Sequence, residues 1–216
     1  SGHLWIATCL GGIFVVDKHK LMQSNGEQYV AEQNYSIHNG LSGMFINQIM
    51  PDKEGNVWVL LYNSKGLDKI NPHTQQVTKL FADELSGEKS PNYLLCDADG
   101  MLWVGFHGGV MRINPEDSSH QSISFGSFNN NEILSMTSVK EHIWVSTTNG
   151  LWIIDRQTMD ARQQNMTDKR FTSLLFDSKD GNIYLGGADG FAISRPEIQG
   201  LNHPERPIFL TALYIN

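Results

Sequence analysis

GNVWVLL at residues 55–61 is one of five copies of a short pattern; the others are GHLWIAT (2–8), GMLWVGF (100–106), EHIWVST (141–147) and GNIYLGG (181–187). Each copy has an aromatic residue at its fourth position, and these residues lie 40 to 53 positions apart: Trp5, Trp58, Trp103, Trp144 and Tyr184. A repeat of about 40 residues built from short strands is typical of a β-propeller with one blade per repeat. The sequence therefore predicts an all-β fold.

The segments around each copy have the pattern of four antiparallel strands. In the second repeat, FINQIMPD (45–52) has the apolar content of a buried inner strand, and NVWVLL (56–61) is rich in β-branched and aromatic residues. LDKIN (67–71) alternates, and QVTKLF (76–81) is a more polar outer strand. The first repeat lacks an inner strand and the fifth lacks an outer one. We therefore expect 18 strands, with Ile208–Ile215 as a nineteenth.

The repeats predict a partial β-propeller of about five four-stranded blades, such as a piece of a seven-bladed ring. Their expected limits are 1–38, 39–86, 87–127, 128–167 and 168–195, and residues 196–216 are expected to form an exit linker and a strand. A propeller removes its sheet edges by closing the ring. An isolated five-blade piece is therefore expected to close as a strained ring or to pack against neighbours.

The repeated aromatic residues and glycines have structural explanations. Large apolar rings in the middle of twisted sheets suit the core between adjacent blades, so all five aromatic residues are predicted to lie there. A glycine follows each of the last four aromatic strands where the chain re-enters the sheet, and a positive φ is predicted at these positions: Gly66, Gly109, Gly150 and Gly190.

Composition and motifs argue against several functions. The net charge of -7 and the lack of a Lys/Arg run argue against nucleic-acid binding, and without a run of 18 apolar residues no membrane contact is expected for this segment. G-x-S-x-G, H-E-x-x-H and P-loop motifs are missing, so the segment is not expected to be an enzyme. Cys9 and Cys96 have no C-x-x-C spacing, and the eight histidines are scattered in predicted turns and loops. No cofactor and no metal site is therefore predicted.

The acidic turn before the aromatic strand allows two interpretations. It superficially resembles the sialidase Asp-box, but Asp52 and Asp97 lie three residues before Gly55 and Gly100, whereas the box has its Asp two residues before Gly. A turn capped by an aspartate side chain explains the pattern better.

With this turn, the repeat resembles the two-component regulator propeller repeat, D-x-x-G-x-L-W-I-G-T-x-x-G-L. The second and third repeats match it best, the fourth has lost the Asp and Gly of the turn, and the fifth has Tyr184 and a longer turn. The matching residues are Asp52, Gly55, Trp58 and Gly66, then Asp97, Gly100, Trp103, Gly105 and Gly109, then Trp144, Thr147 and Gly150.

The resemblance implies the periplasmic sensor region of a Bacteroidetes-type hybrid two-component histidine kinase. In such sensors, propellers precede an immunoglobulin-like Y-Y-Y domain, and RPEIQGLNHPERPIFLTALYIN (195–216) resembles the exit toward that domain. The resemblance further implies a parent protein that is anchored in the inner membrane, acts as a homodimer and signals by phosphorelay. The family's tendency to sense carbohydrates suggests an oligosaccharide ligand.

In propellers, the loops between second and third strands and those entering each inner strand share the face that surrounds the central channel. Polar and aromatic groups there suit oligosaccharide hydroxyls, and they are the predicted ligand-binding residues: Tyr62, Asn63, Lys65, His107, Thr148, Asn149, Asp189, Asn130 and Arg170. The alternative is a structural or dimerisation scaffold without a ligand site of its own. Saturable glycan binding would distinguish the two.

Overall fold

The computed structural model describes residues 2–25, 28–62, 65–126, 131–164, 170–188 and 190–196. Within these ranges the chain forms five antiparallel sheets of three, four, four, four and three strands, one for each repeat. In every sheet the strands follow one another in sequence order. The described residues contain no helix that is long and apolar enough to cross a membrane.

The strand bounds follow the repeats closely. The first sheet contains β1 (His3–Ala7), β2 (Ile13–Asp17) and β3 (Gln33–Tyr35), and the second contains β4 (Ile46–Pro51), β5 (Val57–Leu61), β6 (Leu67–Asn71) and β7 (Gln76–Leu80). The third contains β8 (Pro91–Cys96), β9 (Leu102–Phe106), β10 (Gly109–Ile113) and β11 (His120–Ser124). The fourth contains β12 (Ile133–Val139), β13 (His142–Thr147), β14 (Gly150–Asp155) and β15 (Ala161–Gln164), and the fifth β16 (Phe171–Asp177), β17 (Asn182–Gly187) and β18 (Gly190–Ser194).

The prediction of 18 strands in five blades is confirmed within the described ranges, and the expected strand at Ile208–Ile215 lies outside them. Three helical elements were not predicted: a six-residue helix α1 (Lys18–Gln23) between β2 and β3, and two short 3₁₀ helices, Ile37–Asn39 and Gly87–Lys89. Asp17 begins α1 by accepting a hydrogen bond from the backbone N–H of Lys20 at 2.9 Å.

Each of the first four sheets packs the face that carries its tryptophan against the next sheet along the chain. Trp58 of the second sheet lies in one buried cluster with Leu102 and Val104 of the third. Trp103 of the third sheet lies in another cluster with Ile143 and Val145 of the fourth. None of the four described core clusters joins the first sheet to the fifth, so the packing that the structure shows runs from neighbour to neighbour.

The predicted aromatic core is present, with one exception. Trp58, Trp103 and Trp144 are buried at 0%, 0% and 5% exposure, and Trp5 packs against the cluster between the first two sheets and stacks on Tyr35. Tyr184 is half-buried and belongs to none of the described core clusters, so its predicted place in a core between sheets stays a prediction. Tyr184 is on the fifth sheet, on the face that would meet a following sheet.

The inner strands share an irregularity at the same position. The register shifts between Ile46 and Gln48 in β4, and at the equivalent places in β8, β12 and β16. Next to this bulge the Gln48 amide bridges to the neighbouring inner strand: its Nε2 donates to the Leu94 carbonyl at 2.7 Å, and its Oε1 accepts from the Leu94 N–H at 2.8 Å. Ser135 Oγ accepts from the Leu174 N–H at 3.0 Å. Polar side chains thus join neighbouring inner strands.

The predicted positive φ is confirmed at Gly66, Gly150 and Gly190, but at the third repeat it falls one residue earlier, on Gly108. The turn between β9 and β10 consists of His107 and Gly108, so Gly108 takes the left-handed conformation. Gly109 has another reason to be glycine, because a Cβ there would lie 2.1 Å from the Ile123 carbonyl oxygen.

Gly66→Ala is expected to destabilise the chain more than Gly55→Ala does. Both glycines have positive φ, 73° and 84°, which disfavours alanine by about 1–2 kcal/mol. A Cβ on Gly66 would also lie 2.3 Å from the Leu80 carbonyl oxygen, whereas a Cβ on Gly55 would meet nothing within 4 Å. Urea denaturation of the two variants measures the difference, and equal free energies of unfolding would contradict the predicted overlap.

Candidate functional site

The antiparallel order gives the molecule two faces with different connections. We call the first the loop face: it carries the connections β1–β2, β5–β6, β9–β10, β13–β14 and β17–β18, and the segments that enter each new sheet. The opposite turn face carries the hairpin turns, including Asp52–Gly55 and Asp97–Gly100. The predicted ligand-binding residues belong to the loop face.

Backbone hydrogen bonds hold the β5–β6 and β9–β10 connections of the loop face against the entry segment of the next sheet, and the β13–β14 connection against the entry segment of its own sheet. The Gly66 N–H donates to the Leu85 carbonyl at 2.8 Å, and the Gly108 N–H donates to the Asn131 carbonyl at 2.9 Å. In the fourth sheet, the Thr148 N–H donates to the Glu132 carbonyl at 3.0 Å. Side chains on neighbouring sheets of this face are therefore held in a fixed arrangement.

The predicted residues are spread over the loops of four sheets. Tyr62 and Lys65 lie on the second sheet, His107 on the third, Asn149 on the fourth and Arg170 before the first strand of the fifth; all five are exposed. Thr148 is half-buried, and its Oγ accepts from the Glu132 N–H at 3.2 Å. Asn63, Asn130 and Asp189 lie outside the described residues.

Phe45 is a candidate that the sequence interpretation placed wrongly. It was assigned to a buried inner strand, but it precedes β4 on the loop face and is 53% exposed. The Phe45 carbonyl accepts a hydrogen bond from the Tyr62 N–H at 2.9 Å, and Tyr62 is 70% exposed. Two exposed aromatic residues are thus neighbours at the edge of the second sheet. An alternating apolar pattern alone does not show where the strand begins, so it could not place Phe45.

On the turn face, the aspartates do more than cap turns. Asp52 Oδ1 accepts from the Asn56 N–H at 2.8 Å, and its Oδ2 accepts from Trp58 Nε1 at 2.9 Å. In the third sheet, Asp97 Oδ1 accepts from the Met101 N–H, and its Oδ2 accepts from Trp103 Nε1 at 2.9 Å. The predicted capping is confirmed. The bond to the indole was missed, although the aspartate precedes the tryptophan by six residues in both repeats.

Basic side chains complete these two buried carboxylate sites. Lys69 Nζ lies 3.9 Å from Asp52 Oδ2 and 5.0 Å from the centre of the Trp58 ring, and it donates to the Pro115 carbonyl of the third sheet at 3.1 Å. Arg156 of the fourth sheet reaches back to the third, with Nη1 3.5 Å from Asp97 Oδ2. The carboxylates thereby connect adjacent sheets, and their burial and full set of protein partners assign them a structural role.

Within the described residues, the fourth and fifth sheets lack the buried aspartate that accepts from the tryptophan indole, as expected from their different turn sequences. In the fourth sheet the acidic turn is replaced by the short turn at Lys140–Glu141, and the buried Trp144 Nε1 has no hydrogen-bond partner in the part of the chain that the structure describes. In the fifth sheet the Tyr184 hydroxyl donates to Asp180, which raises the pKa of Tyr184 and lowers that of Asp180.

Several aspartates at or beside turns have lowered pKa values. Backbone N–H groups of Thr158 and Gln157 donate to Asp155 at 2.9 and 2.8 Å and hold its pKa below the ordinary value. The Ser119 hydroxyl and N–H do the same for Asp117. A folded-state pKa below the unfolded value stabilises the fold above the unfolded pKa, and this contribution is lost as the pH falls through the folded pKa.

The thermal unfolding midpoint is therefore expected to stay level from about pH 7 to pH 5 and to fall below about pH 4. Circular dichroism melts across this range measure the effect. Asp155→Asn keeps an acceptor oxygen but cannot titrate, so we expect this variant to be less stable than the parent at pH 7 and to approach it at pH 3. A constant difference between the two at all pH values would contradict the prediction.

Comparison with known proteins agrees with the fold. The family model described as the N-terminal β-propeller domain of PorZ, of the type IX secretion system, matches residues 13–171. The comparison with curated proteins gives no match. The five sheets and this match define a β-propeller domain. The chain belongs to the PorZ N-terminal β-propeller domain family.

Solved structures give a more specific comparison than the family model. It is similar, at 80% identity and a TM-score of 0.88, to the extracellular domain of a protein from B. thetaiotaomicron described as a hybrid two-component system, with 100% of this chain and 29% of that chain covered. Another match, with 79% identity, a TM-score of 0.88 and the same coverage, describes that protein as a one-component system. The extracellular domain of a different hybrid two-component system from that bacterium matches at 14% identity and a TM-score of 0.69, with 95% of this chain and 27% of that chain covered.

The match at 80% identity confirms the predicted resemblance to the extracytoplasmic regions of hybrid two-component systems, and with it a location outside the cytoplasm. The matches agree with a segment that is not an enzyme, because the matching family is a propeller domain and these neighbours are extracellular domains of signalling systems. The chain spans less than a third of the length of these neighbours.

Proposed function

We propose that this chain is a ligand-sensing propeller segment of a hybrid two-component sensor kinase and that its ligand is an oligosaccharide. The observation that carries the sensor role is the 80% identity, over the whole chain, to the extracellular domain of a protein described as such a system. The parent protein is then a homodimeric histidine kinase anchored in the inner membrane, and this segment transmits ligand binding toward the kinase.

The chemistry of the loop face supports a sugar ligand. Aromatic rings stack on the apolar faces of pyranose rings, and the exposed Phe45 and Tyr62 offer two rings at one edge. Lys65, His107 and Asn149, exposed on the same face, supply hydrogen-bond donors and acceptors for hydroxyl groups. Ligand sites combine apolar surface with a few well-placed polar groups in this way.

The test is a thermal-shift screen of the complete extracellular region against an oligosaccharide panel, followed by Tyr62→Ala, His107→Ala and Asn149→Ala. A ligand that binds only the folded state raises the melting temperature. We expect one oligosaccharide class to do so. Tyr62→Ala should weaken the affinity for that ligand at least about tenfold and so reduce the shift in melting temperature. His73→Ala is the matched control for His107→Ala, because His73 is an exposed histidine in the β6–β7 turn on the opposite face.

A shift that survives all three substitutions would place the ligand elsewhere in the parent protein and favour the second candidate function, a structural or dimerisation scaffold. Exposed apolar side chains on the first sheet, Leu4 at 45% and Ile6 at 39%, favour that candidate, because they offer a surface for packing. The absence of a shift with every glycan would overturn the carbohydrate assignment itself.

A further inference from the structure

The first sheet brings together three metal-ligating side chains that are far apart in the sequence. His3 is at the start of β1, Asp17 at the end of β2, and Glu32 directly before β3. His3 and Asp17 are paired across the two strands, and the Glu32 N–H donates to the Val15 carbonyl at 2.9 Å. One ligand atom from each of the three side chains lies within 4.8 Å of the other two.

We propose that His3, Asp17 and Glu32 bind a divalent transition-metal ion, for which Zn²⁺ is the probe. One imidazole nitrogen and two carboxylates form a ligand set that Zn²⁺ accepts, with a water in the fourth position. Metal–ligand bonds near 2.0–2.1 Å at tetrahedral angles separate ligand atoms by about 3.4 Å. His3 Nε2 and Glu32 Oε2 are 3.4 Å apart.

The carboxylates keep oxygen atoms available for an ion. Asp17 uses Oδ1 to accept the Lys20 N–H at the start of α1. Glu32 uses Oε1 to accept from Lys20 Nζ at 2.6 Å, while its Oε2 faces His3. The Lys20 ammonium thus lies against the same ligand set. It is a positive charge that a metal ion must displace or tolerate, so its removal should strengthen binding.

The sequence did not predict this site, since the histidines were placed in turns and loops. The structure instead has His3, His120 and His142 within strands, and only strand pairing shows that His3 approaches two carboxylates. The site lies on the turn face, opposite the loop face. Its test is therefore independent of the proposed oligosaccharide ligand.

Isothermal titration of the tag-free complete extracellular region, which contains this chain, with Zn²⁺ tests the site, with Mg²⁺ as a hard-ion comparison that we expect not to bind. His3→Gln and Glu32→Gln are expected to weaken Zn²⁺ binding by at least about tenfold. Even the loss of a residue that only hydrogen-bonds to a metal ligand has an effect of this size. Lys20→Met is expected to tighten binding several-fold. The matched control is His19→Gln, an exposed neighbouring histidine outside the cluster, which should leave the affinity unchanged.

Opposite effects of Lys20→Met and Glu32→Gln would support the proposal, because general damage to the sheet would weaken binding in both. Circular dichroism confirms that each variant is folded before titration. No Zn²⁺ binding by the unmodified chain, or equal affinity in the unmodified chain and His3→Gln, would overturn the proposal. An affinity lost equally in His19→Gln would also overturn it, since the ion would then bind to α1.

Discussion

Asp97→Ala is expected to destabilise the chain by about 3–5 kcal/mol, the range seen when one partner of a buried ion pair is removed. The Asp97 side chain is 1% exposed, and it accepts from the Trp103 indole and faces the Arg156 guanidinium, which is 9% exposed. Without Asp97, the buried Trp103 indole N–H of the third sheet loses its acceptor, and the Arg156 guanidinium of the fourth sheet keeps only the exposed Asp99 and Glu141 carboxylates, 3.0 and 3.8 Å from its Nη2. Urea denaturation measures the free energy of unfolding.

Asp180→Ala is the control for Asp97→Ala, because Asp180 accepts from the equivalent aromatic residue of the fifth sheet in an exposed setting. We expect a small effect there. Asp97→Asn should fall between the two, since an amide oxygen can still accept the indole hydrogen but brings no charge to Arg156. If the two alanine variants were equally destabilised, the burial of the carboxylate would not be the cause.

Trp103→Ala is expected to destabilise the chain by about 3–5 kcal/mol, the usual range for removal of a buried aromatic side chain. Trp103 is 0% exposed in the cluster between the third and fourth sheets, and the Arg112 guanidinium lies 5.9 Å from the centre of its ring. Deleting the ring leaves a cavity between the third and fourth sheets. The same denaturation experiment measures the effect.

Tyr184→Ala provides the comparison at the equivalent position of the fifth sheet. Tyr184 is half-buried and belongs to no described core cluster, so we expect a clearly smaller effect than for Trp103→Ala. A loss of stability as large as that of Trp103→Ala would mean that the Tyr184 ring is also part of an inter-sheet core. The two variants together therefore test whether each aromatic residue is buried by the sheet that follows it in the chain.

The architecture could be predicted from the sequence because its signals are local and repeated. The aromatic residues at Trp58 and Trp103 mark the second strand of their sheets, and Asp and Gly turns mark the strand ends. The helix Lys18–Gln23 was missed because a six-residue helix is too short for a periodic apolar pattern, and it depends on a single cap at Asp17.

The candidate sites were harder to predict, because they depend on distances between repeats. Tyr62 and Lys65 could be assigned to the loop face from their place after a predicted strand. The exposure of Phe45 could not, since the apolar pattern does not show where β4 begins. The approach of Arg156 to Asp97 could not either, since it depends on how one sheet is placed against its neighbour. The position of most residues within their repeat was predictable, and their partner in another repeat was not.

The packing of each aromatic face onto the next sheet also has a kinetic consequence. Every described core cluster draws its residues from consecutive repeats, so the packing that the structure describes forms by closing loops of about one repeat. In such linear arrays, stability approximates a sum of units and their shared interfaces. The third sheet is covered on both sides, whereas the first and fifth are each held by one described interface. Amide hydrogens of the third sheet, which has described interfaces on both sides, should therefore be among the slowest to exchange.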